Sequence, residues 1–564
     1  MTRHTYRVQN PHTSQFVWHG AASPPHATQM PSCLEHYAQT AQSQGKEKAL
    51  RWPLTLSILV LLGLLLGCRL RPLETVRSPS KTPSAPVPVT PLFITNPDSQ
   101  PTTQPSPTVL PSPTLTPTPS WPEANQRHDL EVTYAPYWQR LVVQHRLRYT
   151  NTTGETLERL PLLAPALTQS FITLETVEAP GRALTWSWDW KRWLLWLTLD
   201  PPLKPNETLD LRLQYLLGLR PLRTTPEDLT KPMAQGYTQL QTNGVEWHFL
   251  VAAYHPRQGW LLPQVWPFGE FMAYPIGDYT VRLQFPQGWQ VAHNGQAIPC
   301  PEGNEASGML QVCFQVQRAR QAVFSLSPVY EKRVQEVPSR RGSPVQVEAY
   351  LFAGDRDKGD LLLEVLRQAL TLFEDYYGPY HRERMVFVVG DFPFSMEYDG
   401  IFFVRRSFFF DDPQERLTAV TVHEVAHQWW YAQVHNDPGR GPWMDESLSA
   451  YSEVLYYQTY LPQLLTWWWT AYWEGLEPGQ GPIDRPLWEY WDYFDYRSLA
   501  YLKGATLWQE IHEALGDEEF RALMHRYVKA YRGQVVLPED LKAFLADHLP
   551  PDLWDRIQDV YFTP

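Results

Sequence analysis

Proline, serine and threonine dominate residues 79–122, which include PSKTPSAPVPVT and end in PSPTLTPTPSWP. A segment of this composition cannot bury enough apolar surface to form a core, and it favours an extended polyproline conformation. We therefore assign residues 72–125 to a linker and expect compact structure only after it. The chain has 564 residues, so the part that follows the linker is long enough for more than one domain.

The first region after the linker has the hydrophobic periodicity of β-strands. Apolar and polar residues alternate in LEVTYAPYWQRLVVQHRLRYT and again in GDYTVRLQFPQGWQVAHNG. Alternation of this kind is typical of strands that bury one face. Turn residues such as TTGE separate the alternating stretches. The pattern predicts an all-β sandwich over residues 126–330.

The second region changes to helical periodicity. VQVEAYLF still has the character of a strand, but DKGDLLLEVLRQALTLFEDYYG has apolar residues at helical spacing. After MVFVVGDF the pattern predicts an almost entirely helical chain. We expect a mainly α domain over residues 331–564, and all the catalytic candidates fall within it.

The N-terminal part contains a candidate membrane-targeting signal. Residues 54–67 form an apolar run of 14, which is the length of a signal h-region and shorter than a spanning helix requires. Basic residues precede it, and it ends in LLGC, which resembles a bacterial lipobox with Cys68 as the lipidated residue. A single-pass anchor is the alternative. Residues 1–71 are therefore predicted to be a signal or anchor region that brings the rest of the chain to the extracytoplasmic face of the cell membrane.

Charge and cysteine content bear on the partners and the compartment. The net charge of −12 argues against nucleic acid as a partner, because phosphate binding needs a basic surface. Cys300 and Cys313 flank PEGNEASGMLQV, which is typical of a hairpin turn. A disulfide between them suits an extracytoplasmic compartment, and two free buried thiols are the alternative.

The segment TVHEVAHQWWYAQV, residues 421–434, contains a candidate zinc site. His423 and His427 are four residues apart, so both project from one face of a helix. Two imidazoles in this arrangement can bind one Zn²⁺ at about 2.1 Å, with Glu424 beside the metal as general base. Zinc lowers the pKa of its water to about 7, and Glu424 can accept the proton that this water loses.

A third protein ligand is expected, because a catalytic zinc takes three and keeps one open position. Glu446 comes after eighteen intervening residues beyond His427, in GPWMDESLSAYSEVLYY, where helical spacing resumes. The spacing predicts Glu446 as that ligand. A chance HExxH on an amphipathic helix is the alternative, and the added carboxylate argues against it.

HEVAHQWW followed by WMDESLSAYSE resembles the aminopeptidase N family of zinc peptidases. The family's helix typically reads HELAHQWFG, and its third-ligand segment reads WLNEGFASYVE. The stretch YHPRQGWLLPQVWPFGEFMAYPIGDYTVRLQFPQGW also resembles the family's β-domain. The resemblance covers roughly residues 126–564. It implies a thermolysin-like (gluzincin) catalytic domain with one Zn²⁺ per chain, in a short, membrane-tethered bacterial member of the family.

The resemblance also implies roles for residues outside the HEVAH motif. Tyr501 in AYLKGATLW matches the family's Tyr-x-Lys-Gly, whose tyrosine stabilises the oxyanion of the tetrahedral intermediate. Glu453 resembles a family carboxylate that orients a zinc-bound imidazole, although a solvated surface glutamate is the alternative. Asp445 replaces the family's asparagine beside the third ligand.

One family motif is altered in this chain. The family carries Gly-Ala-Met-Glu-Asn before the HExxH helix, and its glutamate binds the α-amine of the substrate. In FPFSMEYDGIFF, Met396 and Glu397 match, whereas Phe394, Ser395 and Tyr398 replace the other three residues. The resemblance implies that Glu397 pairs with the substrate's ammonium group. The replaced neighbours would either narrow the first-residue pocket or bind an aromatic side chain.

These features predict a zinc aminopeptidase that removes N-terminal residues from peptides with a free N-terminus, outside the cytoplasm. A gluzincin endopeptidase is the first alternative, if the altered motif no longer binds an amine. The second is a surface lipoprotein that uses a catalytically weak zinc fold to bind peptides. The intact Glu424 argues against this last function, because a binding protein has no use for a general base.

Overall fold

The computed structural model describes residues 121–222, 234–301, 308–410 and 414–563. The predicted linker and the predicted signal or anchor region with Cys68 lie outside the described residues, apart from the last few residues of the linker. Within the described ranges, no helix combines the length and apolar character needed to cross a membrane.

The first region is built from β-sheets. A seven-stranded sheet has the order Gln296–Ala297, Met309–Ala319, Gly277–Pro286, Gln126–Ala135, Arg140–Thr150, Thr208–Gly218, Phe171–Glu178. One four-stranded sheet has the order Leu250–Val251, Leu157–Leu163, Leu194–Leu203, Ala183–Asp189, and another has the order Gln290–His293, Phe324–Ser327, Thr242–Gly244, Gly236–Tyr237. Tyr254–His255 pairs with Gly259–Trp260 in a small hairpin.

The predicted alternation is visible in the strand Arg140–Thr150. Every second side chain along it is buried, from Leu141 to Tyr149, and those between are exposed. One face of the strand therefore packs into the core while the other faces solvent. Cys300 and Cys313 form a disulfide in this region, close to the segment 302–307 that is outside the described residues.

The second region is mainly helical. Helices α1 to α9 span, in order, Gly359–Tyr377, Gln414–Ala426, Trp443–Tyr460, Leu465–Trp469, Tyr493–Tyr496, Gly504–Leu515, Asp517–Tyr531, Pro538–His548 and Pro551–Ile557. π-helical segments cover Arg497–Lys503 and Gln558–Phe562. Short 3-10 turns connect several of these elements. The prediction of a β-rich region followed by a helical one is confirmed.

The helical region also contains a five-stranded mixed sheet that the sequence pattern predicted only in part. Its order is Tyr330–Val337, Val345–Phe352, Arg384–Gly390, Ile401–Arg405, Met396–Tyr398. The last two strands were expected to be helical. They are short and buried on both faces, so they lack the alternation from which strands are recognised. A further two-stranded pairing joins His435–Asn436 to Val535–Val536.

Arg320 joins the two regions. This buried arginine belongs to the β-rich region, and its backbone N–H donates to Asp399 Oδ2 at 3.3 Å. Its guanidinium donates to the carbonyl oxygens of Tyr274 and Gln534, each at 3.1 Å. The buried apolar side chains of both regions form one continuous cluster. The two regions are therefore packed as one body around the site.

Three histidines are buried together inside the β-rich region. His128 Nδ1 and His145 Nε2 form a hydrogen bond at 2.9 Å, and the centre of the His248 ring lies 5.6 Å from that of His128. His248 Nε2 accepts from the Ala322 N–H at 3.3 Å, which holds that ring in its neutral form. Burial lowers the pKa of all three, that of His248 to about 4.

We predict that this cluster makes the fold acid-labile. The unfolded chain binds protons on these histidines below about pH 6.5, whereas the folded chain does not. The contribution of these histidines to the free energy of unfolding is therefore complete above pH 6.5 and is lost as the pH falls towards 4. The loss is up to about 1.4 kcal/mol per pH unit for each histidine. Urea unfolding of metal-free protein at pH 7.5 and 5.0 measures this difference.

His248→Gln should reduce the acid dependence by about one proton. Glutamine can accept from the Ala322 N–H and donate to the Phe249 carbonyl oxygen, as His248 does, without titrating. His548→Gln, at an exposed position, is the matched control. An equal loss of stability on acidification in all three proteins would contradict the prediction.

Candidate active site

Helix α2 and the turn after it present the two predicted imidazole ligands. The ring centres of His423 and His427 are 4.7 Å apart. The helical hydrogen bonding ends at Ala426, earlier than predicted, because Gln428 and Trp429 donate three residues back in tighter turns. His427 still follows in helical register, since its N–H donates to the carbonyl oxygen of His423 at 3.2 Å. The one-turn spacing of the two rings is preserved.

Helix α3 packs beside α2 and supplies the predicted carboxylates. Glu453 Oε1 accepts from His423 Nδ1 at 2.8 Å, and Glu453 Oε2 accepts from Trp468 Nε1 at 2.8 Å. Glu453 is buried and not on the solvated surface. His427 Nδ1 donates to the carbonyl oxygen of Trp430 at 3.0 Å. Both Nδ1 atoms are thus engaged, which leaves both Nε2 atoms for the cleft.

The remaining ligand atoms fit one tetrahedral metal ion. Glu446 Oε2 lies 3.2 Å from His423 Nε2 and 3.7 Å from His427 Nε2. Ligands about 2.1 Å from a tetrahedral Zn²⁺ stand about 3.4 Å from one another. Two imidazoles and one carboxylate are a donor set that catalytic zinc sites use. The three residues therefore suit a zinc ion with one position left open.

Burial and charge set the protonation of these groups. Although burial disfavours imidazolium, the hydrogen bonds with Glu446 and Glu453 raise the pKa of His423 well above its usual value. Burial raises the pKa of Glu424 to about 8, and nearby carboxylates add to the shift. Glu424 Oε2 is buried without a hydrogen-bond partner. A carboxyl group with a pKa near neutral and a free oxygen atom suits a residue that accepts a proton and then returns it.

Two tyrosines from consecutive elements reach the ligands: Tyr496 ends helix α5, and Tyr501 lies in the π-helical segment Arg497–Lys503. The ring of Tyr501 stacks 5.8 Å from that of His423, and its hydroxyl hydrogen-bonds Glu446. Tyr496, five residues earlier, donates to Glu446 Oε1 at 3.3 Å. Burial raises the pKa of Tyr501 well above its ordinary value. Its phenol therefore stays protonated and can donate a hydrogen bond.

A glycine after Tyr501 makes this approach possible. A Cβ atom on Gly504 would lie 2.4 Å from the Cβ of Ser447. Helix α6 begins at Gly504 and packs directly against α3 beside the ligand Glu446. Trp508 Nε1 strengthens the contact by donating to Ser447 Oγ at 2.8 Å. The glycine of the Tyr-x-Lys-Gly sequence is therefore explained by the close packing of α6 against α3.

The edge strand Met396–Tyr398 carries the predicted amine-binding glutamate. Glu397 Oε1 lies 3.8 Å from His427 Nδ1. Burial, with the neighbouring carboxylates of Glu424 and Glu446, raises the pKa of Glu397. Met396 and Phe394 line the same cavity as Glu397, which measures about 410 Å³. Tyr398 lies on an adjoining small pocket instead.

Sequence analysis missed Glu270, a second carboxylate beside Glu397. It comes from the β-rich region, in WPFGEFMAYP, and lines the same cavity. Gly269 has a φ of 64°, and a Cβ there would lie 2.9 Å from Leu487 Cδ1, so glycine is required for the turn that directs Glu270. Burial and then Glu397 raise the pKa of Glu270. The segment WPFGEFMAYP resembles the family's β-domain, but no spacing in the sequence links Glu270 to the metal site.

Two other side chains, Asp445 and Trp473, also lie close to the site residues. Asp445 Oδ1 accepts from Asn436 Nδ2 at 2.9 Å, and its carboxylate lies within 4.8 Å of the ligand atoms of His427 and Glu397. Trp473 lines the cavity and packs 6.4 Å from Tyr501. The aromatic segment around it therefore contributes both to packing, through Trp468, and to the cleft wall.

Comparison with known proteins places this site in a family. Residues 361–560 match the peptidase family M1 domain. The matched range covers most of the second region, which therefore resembles an M1 peptidase domain. The predicted resemblance to the aminopeptidase N family is thereby confirmed. The five candidate residues His423, Glu424, His427, Glu446 and Glu453 all lie within the range that matches the M1 domain.

Relatives of the M1 domain include several aminopeptidases. Aminopeptidase N of Streptomyces lividans is 25% identical over 291 residues, which is 46% of this chain and 33% of that protein. Human endoplasmic reticulum aminopeptidase 2 is 24% identical over 225 residues, 36% of this chain and 23% of that protein. The chain therefore spans a third or less of the length of these relatives.

Solved M1 structures share the fold. An M1 zinc metallopeptidase variant from Deinococcus radiodurans, bound to Tyr-Ser-Ala, has a TM-score of 0.58 and 20% identity, covering 77% of this chain and 93% of that one. Legionella pneumophila aminopeptidase A, in complex with aspartic acid, has a TM-score of 0.59 and 15% identity, covering 79% and 50%. The likeness extends over both the β-rich region and the M1 domain.

We predict that Glu453 supports metal binding through His423. Glu453→Ala removes the acceptor that orients the imidazole, and loss of such a partner weakens metal affinity by about 10- to 100-fold. The dissociation constant for Zn²⁺, measured by competition with a chelator, tests this without any assay of activity. Glu474→Gln is the matched control, because Glu474 lines the cavity but pairs with Arg416. Equal zinc affinity in both variants would rule the role out.

Proposed function

We propose that this protein is a zinc aminopeptidase that hydrolyses the first peptide bond of peptides with a free N-terminus. The observation that carries the proposal is the position of Glu397 and Glu270. Two carboxylates line the same cavity as the ligand triad and Glu424. The backbone in the interior of a peptide offers no cation for this end of the cleft, whereas an N-terminal ammonium group does.

His423, His427 and Glu446 would hold the zinc ion. When bound, zinc supplies Lewis-acid chemistry, which polarises a carbonyl group and makes water acidic near neutral pH. It also offsets the repulsion among the buried carboxylates. Glu453 and the Trp430 carbonyl keep both imidazole rings in the orientation that exposes Nε2.

The chain's own residues carry the proton and stabilise charge. Glu424 accepts a proton from the attacking water and delivers it to the leaving amine. Tyr501 donates a hydrogen bond to the oxyanion as it develops on the former carbonyl oxygen. Glu397 and Glu270 pair with the α-ammonium, which sets the scissile bond one residue away from that end.

The strand Met396–Tyr398 fits a role in aligning the peptide. It is the last strand of its sheet, so one edge of its backbone is free to pair with an extended substrate. With the ammonium at Glu397, the substrate would run back along Ser395 and Phe394. Aminopeptidase names among the relatives and the tripeptide bound to the Deinococcus protein support this class of substrate.

We predict that Glu424→Gln abolishes hydrolysis of aminoacyl-arylamides while zinc remains bound. Glutamine keeps the size of the side chain but cannot accept the proton, so kcat should fall by at least about 100-fold. Glu397→Ala should instead raise KM, because it removes one amine partner. Zinc content is measured in each protein, and Glu474→Gln again serves as the control.

N-acetylated peptides distinguish the alternatives. An aminopeptidase leaves them intact, whereas an endopeptidase cleaves them. Zinc-loaded wild-type protein that cleaves acetylated and free peptides equally would replace the aminopeptidase proposal with the endopeptidase one. Zinc-loaded protein that binds peptides without cleaving any would favour the peptide-binding function.

We also propose that the protein works outside the cytoplasm, attached to the membrane through lipid on Cys68. The disulfide Cys300–Cys313 supports an oxidising compartment, and LLGC after the apolar run supports lipidation. We predict that Cys68→Ser abolishes incorporation of a labelled fatty acid in a bacterial host, whereas Cys33→Ser does not. Membrane association without any label would favour the single-pass anchor.

A further inference from the structure

Arg497 lies in the catalytic cleft, and within the part of the chain that the structure describes it has no acidic partner. It is the first residue of the π-helical segment that carries Tyr501, and it lines the same cavity as His423, Glu424 and Glu446. Neighbouring arginines are engaged: Arg416 pairs with Glu474 at 2.8 Å, and Arg485 with Asp495 at 3.8 Å. Among residues 121–222, 234–301, 308–410 and 414–563, no carboxylate comes within 4 Å of the Arg497 guanidinium.

Aromatic rings hold this guanidinium in place. Its central carbon lies 5.4 Å from the ring centre of Trp473 and 5.9 Å from that of Tyr493. Such contacts fix the plane of the group and leave its N–H edges free to donate. A fixed guanidinium with unused donors is arranged for a planar anion, and it loses little conformational freedom when it binds one.

The position of Arg497 relative to the oxyanion tyrosine limits the length of a bound peptide. Trp473 is in contact with both residues, 6.4 Å from the Tyr501 ring and 5.4 Å from the guanidinium. The guanidinium therefore lies within about 12 Å of the Tyr501 ring, a distance that up to three or four extended residues span. A group bound there belongs to the first few residues after the scissile bond.

The cleft is consequently polarised. Three carboxylates lie close together in the cavity: Glu270, Glu397 and Glu446. After burial, the charge of Glu397 raises the pKa of Glu270, and the charge of Glu446 raises the pKa of both. Arg497 lies on a different part of the wall, beside the rings of Trp473 and Tyr493. Burial raises the pKa of Tyr493 and Tyr472, and the positive charge of Arg497 opposes that rise. One end of the cavity attracts a cation, and another part of it attracts an anion.

Resting on the aminopeptidase function proposed above, we propose that Arg497 binds a substrate carboxylate and so selects short peptides. The ammonium group binds at Glu397 and Glu270, and the C-terminal carboxylate of a di-, tri- or tetrapeptide binds at Arg497. A guanidinium and a carboxylate form two parallel charge-assisted hydrogen bonds. A C-terminal amide or a continuing peptide offers only a neutral carbonyl oxygen, which binds more weakly.

The test measures binding, so it does not depend on turnover. Leu-Ala-Ala, Lys-Ala-Ala and Tyr-Ala-Ala, each as the free acid and the C-terminal amide, are titrated calorimetrically into zinc-loaded Glu424→Gln protein. The free acids should bind about tenfold more tightly than the amides, equivalent to about 1.4 kcal/mol. Adding Arg497→Ala should bring this ratio close to one.

Two further variants control the result. Arg416→Ala removes an engaged arginine from the same cavity and should keep the tenfold ratio. Arg405 also lines the cavity, beside the ring of Phe408 at 5.3 Å. Loss of the ratio in Arg405→Ala but not in Arg497→Ala would overturn the assignment. Equal binding of acids and amides to the Glu424→Gln protein would overturn the proposal altogether.

A second set of peptides identifies the source of the carboxylate. Leu-Glu-Ala-amide is compared with Leu-Gln-Ala-amide. One outcome would overturn selection of the C-terminus: the protein prefers the glutamate peptide, loses this preference in Arg497→Ala, and shows no preference for free C-termini. Arg497 would then bind the acidic side chain of the second residue of the substrate. Arylamide hydrolysis by the wild type separately tests the proposed function, because arylamides carry no carboxylate.

Discussion

Repulsion between buried carboxylates is the constraint around which the cleft is organised. Several of them raise the pKa of their neighbours, because burial denies them water and each sees the charge of the others. Placing ionised groups so close together costs free energy unless cations offset it. The fold provides places for positive charge in two ways. His423 hydrogen-bonds two of the carboxylates directly, and the ligand triad has the spacing of a divalent metal site. The acidic residues concerned are Glu270, Glu397, Glu424, Asp445, Glu446 and Glu453.

The sequence was most informative where function imposes a fixed spacing. His423 and His427 had to lie one helical turn apart to share a metal, so their pairing could be predicted without the fold. Glu446 followed because a helix restarts after a gap and carries a carboxylate. Tyr501 and Glu453 were identified only through resemblance to a family. Their contacts depend on how α2, α3 and the π-helical segment pack, which no periodicity in the chain reveals.

Glu270 and Arg497 show where sequence reasoning stops. Glu270 is more than 150 residues away from His423 in the sequence and reaches the cleft through a turn that only Gly269 can make. Arg497 lies four residues before Tyr501, but its place in the cleft depends on how the π-helical segment packs, which no periodicity in the sequence reveals. The two short strands before α2 escaped recognition for a related reason: burial on both faces removes the alternation that signals a strand.

The origin of Glu270 in the β-rich region has a mechanical consequence. His423, Glu424, His427 and Glu446 all come from α2, the turn after it and α3, whereas the two carboxylates proposed to bind the amine come from different regions. Because both regions share one apolar core, the distance between Glu270 and Glu397 is set by the packing of the seam between them. Substitutions in that seam would therefore change the spacing of these two carboxylates while the ligand triad, which lies within one region, stayed intact.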